Sequence, residues 1–408
     1  MLVRLLCGVL LLLVCCCHAL AVEPVYRTRQ ACDGLPRVPV STAHGVCVGL
    51  IASGFKFPRG VLPLDNGDVL VVDMGGWAQN HGSLWLLEKS ASGYRRRRLL
   101  DKLDRPHGLV RGPDQRVYLG EAGRISRFDL RDPGGTLEYL IGAGSGVPAL
   151  PTSGRHPLVS MAFGKDGALF VNVGSASDNC EGPKHEAPDP DKPCAEAEAD
   201  APRGAIRRYE LSWPEGVLRG WETYATGLRN SMALAIHPDT GLLLQAENSR
   251  DYIHRHMPGL DNDEELPHDE LNAIERGARY GWPYCYDDGK PSPEYPRADC
   301  SRYRAPLLLL PAHAAPLGMA YYSGRALPQY RGALIVGYHG YRARGHRVVV
   351  FETDSTGRPT GKSSELVSGW DAQDGQPMGA PTDLKVGADG AIYVTEDRNG
   401  TVLRIAPE

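Results

Sequence analysis

Polar residues recur at matching points along this sequence, each at the start of a short apolar segment. They are Arg59, His107, His156, the pair Arg229 and Asn230, His313, and the pair Thr382 and Asp383. Imidazole titrates near neutral pH and can act as a general base. Arginine polarises a carbonyl or binds a carboxylate through two hydrogen bonds, and asparagine both donates and accepts. Gathered around one cavity, these side chains suit an anionic, redox-active or carbonyl-bearing ligand.

Two of these segments carry the clearest chemical candidates. His156 follows the turn-forming sequence Ser-Gly-Arg and is the preferred general base. Arg229 begins a segment that ends in Glu-Asn-Ser-Arg-Asp, residues 247–251. Ca²⁺ prefers oxygen-rich loops of this kind, with backbone carbonyls among the ligands. The sequence therefore indicates a base, a fixed positive charge and a calcium-binding loop.

Several common catalytic motifs are absent from the sequence. There is no glycine fingerprint in a strand-turn-helix context for NAD or FAD, and no Gly-x-Ser-x-Gly nucleophile motif. The His-x-x-Gly pieces lack the spacing of a zinc-binding helix. There is also no Cys-x-x-Cys-His haem motif, so a redox enzyme of this sequence must pass its electrons to a separate acceptor.

A repeated unit spaces the polar positions. Each copy is a short apolar run, a turn that is often Asp-Gly or Asn-Gly, and a second apolar run, which is the pattern of a β-hairpin. The copies lie at residues 57–76, 105–123, 156–175, 229–249, 315–340 and 380–400. Their spacing of ~40 to 90 residues is that of propeller blades with loop insertions. We therefore predict an all-β, six-bladed β-propeller, in which the starts of the inner strands converge on one face. The sequence DELNAIERG, residues 269–277, is predicted to be a short helix inserted after the fourth repeat.

The composition narrows the class of protein. Glycine and proline number 48 and 32 among 408 residues, which favours turns over long helices. The formal net charge of −4 gives no electrostatic case for nucleic acid. The basic run 95–98 is expected on a solvated strand edge. We find no stable membrane span in the sequence.

The N-terminus has the pattern of a secretory signal. Arg4, an apolar run and the Ala-Leu-Ala sequence at 19–21 predict cleavage after Ala21. The mature propeller then covers residues 22–408, in the periplasm or outside the cell. Six of the ten cysteines remain, and these allow 15 connectivities. Pairing of near neighbours is the simplest, giving Cys32–Cys47, Cys180–Cys194 and Cys285–Cys300 in an oxidising compartment.

The sequence resembles the soluble pyrroloquinoline quinone (PQQ)-dependent sugar dehydrogenases of the aldose, glucose and sorbosone type. The resemblance covers roughly residues 50–406, and its motifs are GLRNSMALAIHPDTGLLLQAENSRD, DELN, YGWPYC and APTDLKVGADGAIYVTEDRNGTVLRI. Their order makes it specific. The resemblance implies a six-bladed propeller that binds PQQ and Ca²⁺ and oxidises sugar hydroxyls by hydride transfer.

The resemblance also implies roles for individual residues. His156 is the expected base, and Arg229 is expected against the quinone oxygens, where it stabilises developing negative charge. The other expected cofactor contacts are Asn230, His313, Arg59, Arg398 and Thr382. The backbone carbonyls of Ser249 and Arg250 are expected to hold a catalytic Ca²⁺ that acts as a Lewis acid. Glu270 and Tyr280 are expected to bind a second, structural Ca²⁺.

The sequence departs from the family pattern at one cofactor position. Members often open the last blade with Gly-Arg-Pro, whereas this chain has Gly379, Ala380 and Pro381. Two other functions stay open at this point. One is a calcium-dependent lactonase-like hydrolase, which needs a central cage of carboxylates and amides in place of arginine and histidine. The other is a ligand-binding propeller without catalysis.

Overall fold

The computed structural model describes residues 26, 30–142, 144–370 and 378–408. The predicted signal, residues 1–21, lies outside the described residues. Four strands precede the first repeat: β1 (Ala31–Cys32), β2 (Leu35–Pro36), β3 (Ser41–Thr42) and β4 (Val46–Ala52). The chain then builds six antiparallel sheets in succession.

The first three sheets follow the first three repeats. Blade 1 contains β5 (Pro58–Pro63), β6 (Val69–Asp73), β7 (Gly82–Ser90) and β8 (Gly93–Leu103). Blade 2 contains β9 (Leu109–Arg111), β10 (Val117–Glu121), β11 (Arg124–Phe128) and β12 (Glu138–Ile141). Blade 3 contains β13 (Met161–Phe163), β14 (Leu169–Val173), β15 (Ala205–Ser212) and β16 (Val217–Thr226).

The last three sheets carry the larger insertions. Blade 4 begins with β17 (Ala233–Ile236), β18 (Leu243–Glu247) and β19 (Asp269–Ala273), continues through a hairpin of β20 (Cys285–Tyr286) and β21 (Lys290–Pro291), and ends with β22 (Leu308–Leu310). Blade 5 contains β23 (Pro316–Tyr321), β24 (Leu334–Tyr338), β25 (Arg347–Thr353) and β26 (Pro359–Ser368). Blade 6 contains β27 (Pro381–Val386), β28 (Ile392–Glu396) and β29 (Thr401–Pro407). The helices of the described residues are 3₁₀ turns at Ile253–His256, Cys300–Arg302 and Pro328–Tyr330.

The six-bladed prediction is confirmed, and each repeat forms the first two strands of one blade. The Asp-Gly turns work as expected. At Gly167, for example, φ is +80°, and a side chain there would lie 2.3 Å from Nε1 of Trp213. A left-handed turn in such a close fit requires glycine. The three predicted disulfides are also present.

The N-terminal strands close the ring. Strand β4 pairs with β29 and completes blade 6, with Leu50 opposite Leu403. Strand β3 adds to the outer edge of blade 5, with Thr42 opposite Val367. The described residues contain no apolar helix of the length that a bilayer crossing requires.

The predicted helix at 269–277 is wrong. Its first part is β19, the third strand of blade 4, in which Leu271 pairs with Ala246 on one side and Leu308 on the other. Leu271 is fully buried between the two neighbouring strands. Asp, Glu, Leu and Ala do not favour a strand, but sheet pairing on both sides overrides that weak preference.

An acidic residue at the end of the second strand recurs in four blades, and sequence reasoning did not identify it. Its carboxylate accepts a hydrogen bond from a backbone N–H in the segment that leads into the same blade. The pairs are Asp73 with Phe57 at 2.9 Å, Glu121 with Asp104 at 2.8 Å, Glu247 with Arg229 at 2.8 Å and Glu396 with Ala380 at 3.0 Å. This hydrogen bond fixes the start of the inner strand, and the candidate site lies at that point.

Candidate active site at the mouth of the channel

A cavity of about 520 Å³ opens at the mouth of the propeller channel. The structure brings most of the predicted site residues to its wall, namely Arg59, His156, Arg229, Asn230, Ser249 and His313. They come from blades that are far apart in the sequence. They meet here because each lies at or just before an inner strand, or at the end of a second strand. A pocket of this size with convergent polar groups is the usual form of a small-molecule site.

Several predicted residues lie away from this wall. Thr382 is fully buried within β27, and its hydroxyl donates to the carbonyl of Pro58 at 2.9 Å. His107 is also buried and does not line the cavity. Arg398 is exposed, and its guanidinium carbon lies 4.6 Å from the ring centre of Tyr341, a residue of the cavity wall. Arg398 is therefore at the rim.

His156 lines the cavity with one ring nitrogen already engaged. Its Nδ1 lies 2.8 Å from the hydroxyl oxygen of Ser175. Burial holds the pKa of His156 well below its ordinary value, and the nearby charges of Arg229 and Arg155 lower it further. The imidazole is therefore neutral at neutral pH and can accept a proton.

Arg229 is buried and held as a cation by its surroundings. Its Nε donates to the carbonyl of Asp178 at 3.1 Å, its Nη1 donates to the carbonyl of Asn248 at 2.7 Å, and the Asp178 carboxylate pairs with Nη2. Burial disfavours the charge, but Asp178 and Asp251 outweigh burial and raise the pKa of Arg229. The guanidinium is thus fixed in both position and charge.

The opposite wall has a second ion-pair network. Asp397 accepts from Nη1 of Arg59 at 2.7 Å, and its other oxygen lies 2.9 Å from Nε2 of His339. Burial opposes the charge of Asp397, but His339 and Arg59 lower its pKa overall. On the neighbouring side, Nε2 of His313 donates to the carbonyl of Asp263 at 2.6 Å.

A small second cavity of about 20 Å³ lies beside the main one, and all four predicted calcium residues line it. This volume holds roughly one water molecule or ion. Two of the four do not offer their side chains. The guanidinium of Arg250 pairs with Glu294, and the hydroxyl of Tyr280 donates to the carbonyl of Ala273 at 2.6 Å. Ser249 lines both cavities, so it lies between them.

Two buried glutamates face the small cavity. Glu270 was predicted there, and Glu247 was not. Burial raises the pKa of Glu270 well above its ordinary range, and the neighbouring Glu247 raises it further. Burial also raises the pKa of Glu247 to about 8. Within the described residues, Oε2 of Glu247 has no hydrogen-bond partner. A bound cation would satisfy both carboxylates and remove the cost of burying them side by side.

Sequence reasoning missed the partners that hold the site. Asp178 and Ser175 lie after β14, and His339 and Asp397 lie just after second strands. Asp397 directly follows the acidic residue that ends β28, so an alignment of the repeats by that acid would have pointed to it. Asp178 lies in a long insertion with no periodic pattern, and no sequence signal marks it.

This protein is a closed six-bladed propeller. A polar site lined by histidine and arginine lies at the mouth of its channel. The family model described as Glucose / Sorbosone dehydrogenase matches residues 119–404, and the chain belongs to this family.

Two relatives show how far the similarity extends. Aldose sugar dehydrogenase YliI of Escherichia coli (strain K12) is 24% identical over 266 residues, which are 64% of this chain and 62% of that protein. An uncharacterised protein of Borreliella burgdorferi is 28% identical over 194 residues, 45% of this chain and 48% of that protein. The chain therefore spans about half to three fifths of the length of these relatives.

Solved structures share the fold over nearly the whole chain. A structure of a Trichoderma reesei enzyme of carbohydrate-active family AA12 covers 93% of this chain and 100% of its own, with a TM-score of 0.72 and 19% identity. The holo form of the pyranose dehydrogenase PQQ domain from Coprinopsis cinerea covers 92% and 99%, with a TM-score of 0.69 and 21% identity. The PQQ-bound aldose sugar dehydrogenase of Streptomyces coelicolor covers 90% and 100%, with a TM-score of 0.58 and 18% identity.

Proposed function

We propose that this chain is a PQQ- and calcium-dependent dehydrogenase that oxidises a sugar hydroxyl in the periplasm or outside the cell. The observation that carries the proposal is a neutral, half-buried histidine, His156, beside the fixed cation Arg229 in one cavity. Membership in the glucose/sorbosone dehydrogenase family supports the reaction class. The three disulfides support an oxidising compartment.

The donor set of the main cavity fits PQQ, which is a planar tricarboxylate. Arginines on several sides complement its charge, with Arg59 and Arg229 in the wall and Arg398 at the rim. Within the described residues, Oδ1 of Asn230 and Nε of Arg59 are buried without hydrogen-bond partners, and both can pair with a polar cofactor. When bound, PQQ supplies a two-electron oxidant, which the side chains of the cavity do not provide.

The side chains of the cavity then have distinct tasks. His156 accepts the proton of the substrate hydroxyl, because its imidazole is neutral and lines the cavity. Arg229 supplies a preorganised positive charge whose orientation Asp178 fixes. Two aromatic side chains of the wall, Trp77 and Tyr341, are 55% and 58% exposed. Their flat apolar faces suit the C–H face of a sugar ring.

The small cavity fits calcium. Glu270 and Glu247 line it and can supply carboxylate oxygens, and Ser249, Arg250 and Tyr280, which also line it, can supply backbone carbonyls. We assign Ser249, which lines both cavities, and its neighbour Arg250 to the catalytic calcium ion. Glu270, Glu247 and Tyr280 are assigned to a structural calcium ion in the small cavity.

The test measures cofactor binding and turnover separately. We expect the purified chain to bind PQQ saturably in the presence of Ca²⁺ and to reduce a dye when aldoses are added. We expect His156→Ala to abolish turnover and to retain PQQ binding by absorbance titration. The matched control is His185→Ala, since the His185 side chain is 77% exposed.

Two outcomes contradict the proposal. Absence of saturable PQQ binding in Ca²⁺ would establish a propeller without this cofactor, and full activity of His156→Ala would remove the assigned base. The electron acceptor is a separate molecule, because the sequence has no haem attachment motif.

A further inference from the structure

A chain of hydrogen bonds leads away from His156 and can be followed atom by atom. Nδ1 of His156 lies 2.8 Å from the hydroxyl oxygen of Ser175. That hydroxyl also lies 2.6 Å from the carbonyl oxygen of Ser177. A carbonyl oxygen only accepts, so the single hydrogen of the Ser175 hydroxyl points to Ser177.

This geometry decides which nitrogen of His156 carries the hydrogen. Because the Ser175 hydroxyl donates its one hydrogen to the Ser177 carbonyl, it can only accept a hydrogen bond from His156. Nδ1 of His156 must therefore be protonated. The imidazole is neutral, so Nε2 keeps its lone pair, and this is the nitrogen left for a substrate in the cavity.

The loop behind Ser175 is itself held in place. The Glu196 carboxylate accepts from the backbone nitrogens of Ala176 and Ser177 and from the Ser177 hydroxyl. The Ser177 hydroxyl in turn accepts from the backbone nitrogen of Cys180 at 2.8 Å. Cys180 is bonded to Cys194, two residues before Glu196, so the disulfide ties together both ends of this support.

The backbone around His156 is also fixed. Ser175 donates its N–H to the carbonyl of Arg229 at 2.8 Å. Arg203 donates to the carbonyl of Gly174 and to the carbonyl of Ser153, both at 2.8 Å. A side chain at Gly174 would lie 2.5 Å from Cβ of His156, so only glycine allows this approach.

We propose that Ser175, supported by Glu196 of the disulfide loop, is the positioning residue that holds His156 with its hydrogen on Nδ1 and its lone pair facing the cavity. Arg229, Arg155 and Arg203 are the charged groups that lower the pKa of His156, and none of these cations can accept the hydrogen on Nδ1. The acceptor that orients the ring is therefore the neutral hydroxyl of Ser175. The catalytic consequence rests on the proposed function, but the orientation does not.

The first experiment observes the ring directly. The full chain is labelled with ¹⁵N-histidine, and the His156 signals are assigned by their loss in His156→Ala. We expect the wild-type signals of a neutral ring with its hydrogen on Nδ1. In Ser175→Ala we expect a mixture in which hydrogen on Nε2 is substantial, because the acceptor is gone.

The second experiment follows the consequence for turnover. We expect kcat to fall about 10-fold in Ser175→Ala, as when a histidine loses its orienting partner, while KM is unchanged. Ser175→Thr keeps the hydroxyl and is expected to restore most of the loss. The matched control is Ser126→Ala, since Ser126 is equally buried and, within the described residues, its hydroxyl has no partner.

The outcomes separate the two proposals. Hydrogen on Nε2 in the wild-type protein overturns the positioning role, even if Ser175→Ala fails to fold. So does an unchanged His156 signal in Ser175→Ala. If the wild-type signals are as expected but no sugar is oxidised with PQQ, then the positioning role stands and the proposed function fails.

Discussion

Glu247 and Glu396 occupy the same place in two blades but differ in how many hydrogen bonds they accept. Each ends the second strand of its blade, each is buried, and each accepts from the backbone of the segment leading into that blade. Glu396 also accepts from the N–H groups of Arg398 and Asn399 at 2.7 and 2.9 Å. Its second oxygen lies 3.1 Å from the Thr401 hydroxyl.

Glu247 receives far less support. One oxygen accepts from Arg229, and the other has no partner within the described residues. Burial raises the pKa of both groups, to about 7 for Glu396 and about 8 for Glu247. The same structural feature therefore differs between the two blades. In blade 6 both carboxylate oxygens are hydrogen-bonded, whereas in blade 4 one oxygen has no hydrogen-bond partner within the described residues, and Glu247 lines the small cavity.

The largest expected effect is on the free energy of unfolding, which we expect to fall by different amounts when each of the two carboxylates is removed. We expect Glu396→Ala to lower the free energy of unfolding by about 4 kcal/mol, because several buried donors lose their acceptor. Glu247→Ala removes one such acceptor and is expected to cost about 1 to 2 kcal/mol. Denaturant unfolding in EDTA measures both. Equal losses would break the distinction between the two blades.

The next effect concerns calcium. At a calcium concentration about 100 times Kd, a site present only in the folded state stabilises by about 2.7 kcal/mol. We expect this gain in the wild-type protein and its loss in Glu247→Gln, which keeps an acceptor for Arg229. Glu396→Gln serves as the control and is expected to keep the gain. Thermal unfolding with Ca²⁺ and with EDTA gives the comparison.

The pH dependence of stability should identify Glu396. Its pKa is about 7 in the folded protein and 4.5 as the ordinary value. Between these values the folded protein holds a proton that the unfolded chain has lost, so stability falls as pH rises from about 5 to 7. Glu396 alone contributes at most about 1.4 kcal/mol per pH unit to this slope. Glu396→Gln should flatten the curve in this window, and an unchanged slope would assign the proton elsewhere.

The smallest effect tests the outer partner of Glu396. The Tyr26 hydroxyl lies 3.4 Å from Oε2 of Glu396 and accepts from Nε1 of Trp370 at 2.9 Å. Tyr26→Phe leaves the ring and removes these bonds, so we expect a loss of about 1 kcal/mol. The calcium gain should be unaffected. A changed calcium response would show that blades 4 and 6 are coupled.

The fold was predictable because its signal is local and repeated. In every blade the first two strands are two apolar runs joined by a turn, which is often Asp-Gly or Asn-Gly. The third strand of blade 4 was not predicted, because Asp269 to Ala273 becomes a strand only through partners on both sides. Strand β4 was also missed, since its partner β29 lies about 350 residues further along the chain.

The site was predictable where position in the repeat decides it. His156 and Arg229 lie at equivalent points and meet at the same mouth. Thr382 shares that point in the sequence but lies inside β27, where its side chain is buried and bonded to Pro58. Of the residues that orient the site, Ser175 is the last residue of the third repeat, and Asp178 lies in the insertion that follows it. The repeat pattern therefore predicts which residues meet, whereas the contacts that support them depend on how the chain folds.

The pairing of β4 with β29 also sets an order of events during biosynthesis. Leu50 is made 353 residues before its partner Leu403. At 5 to 20 residues per second, roughly 20 to 70 s separate their synthesis. During that time β4 has no sheet to join, and blade 6 has no fourth strand. The ring can therefore close only after the last blade is translated, when β29 becomes available to pair with β4.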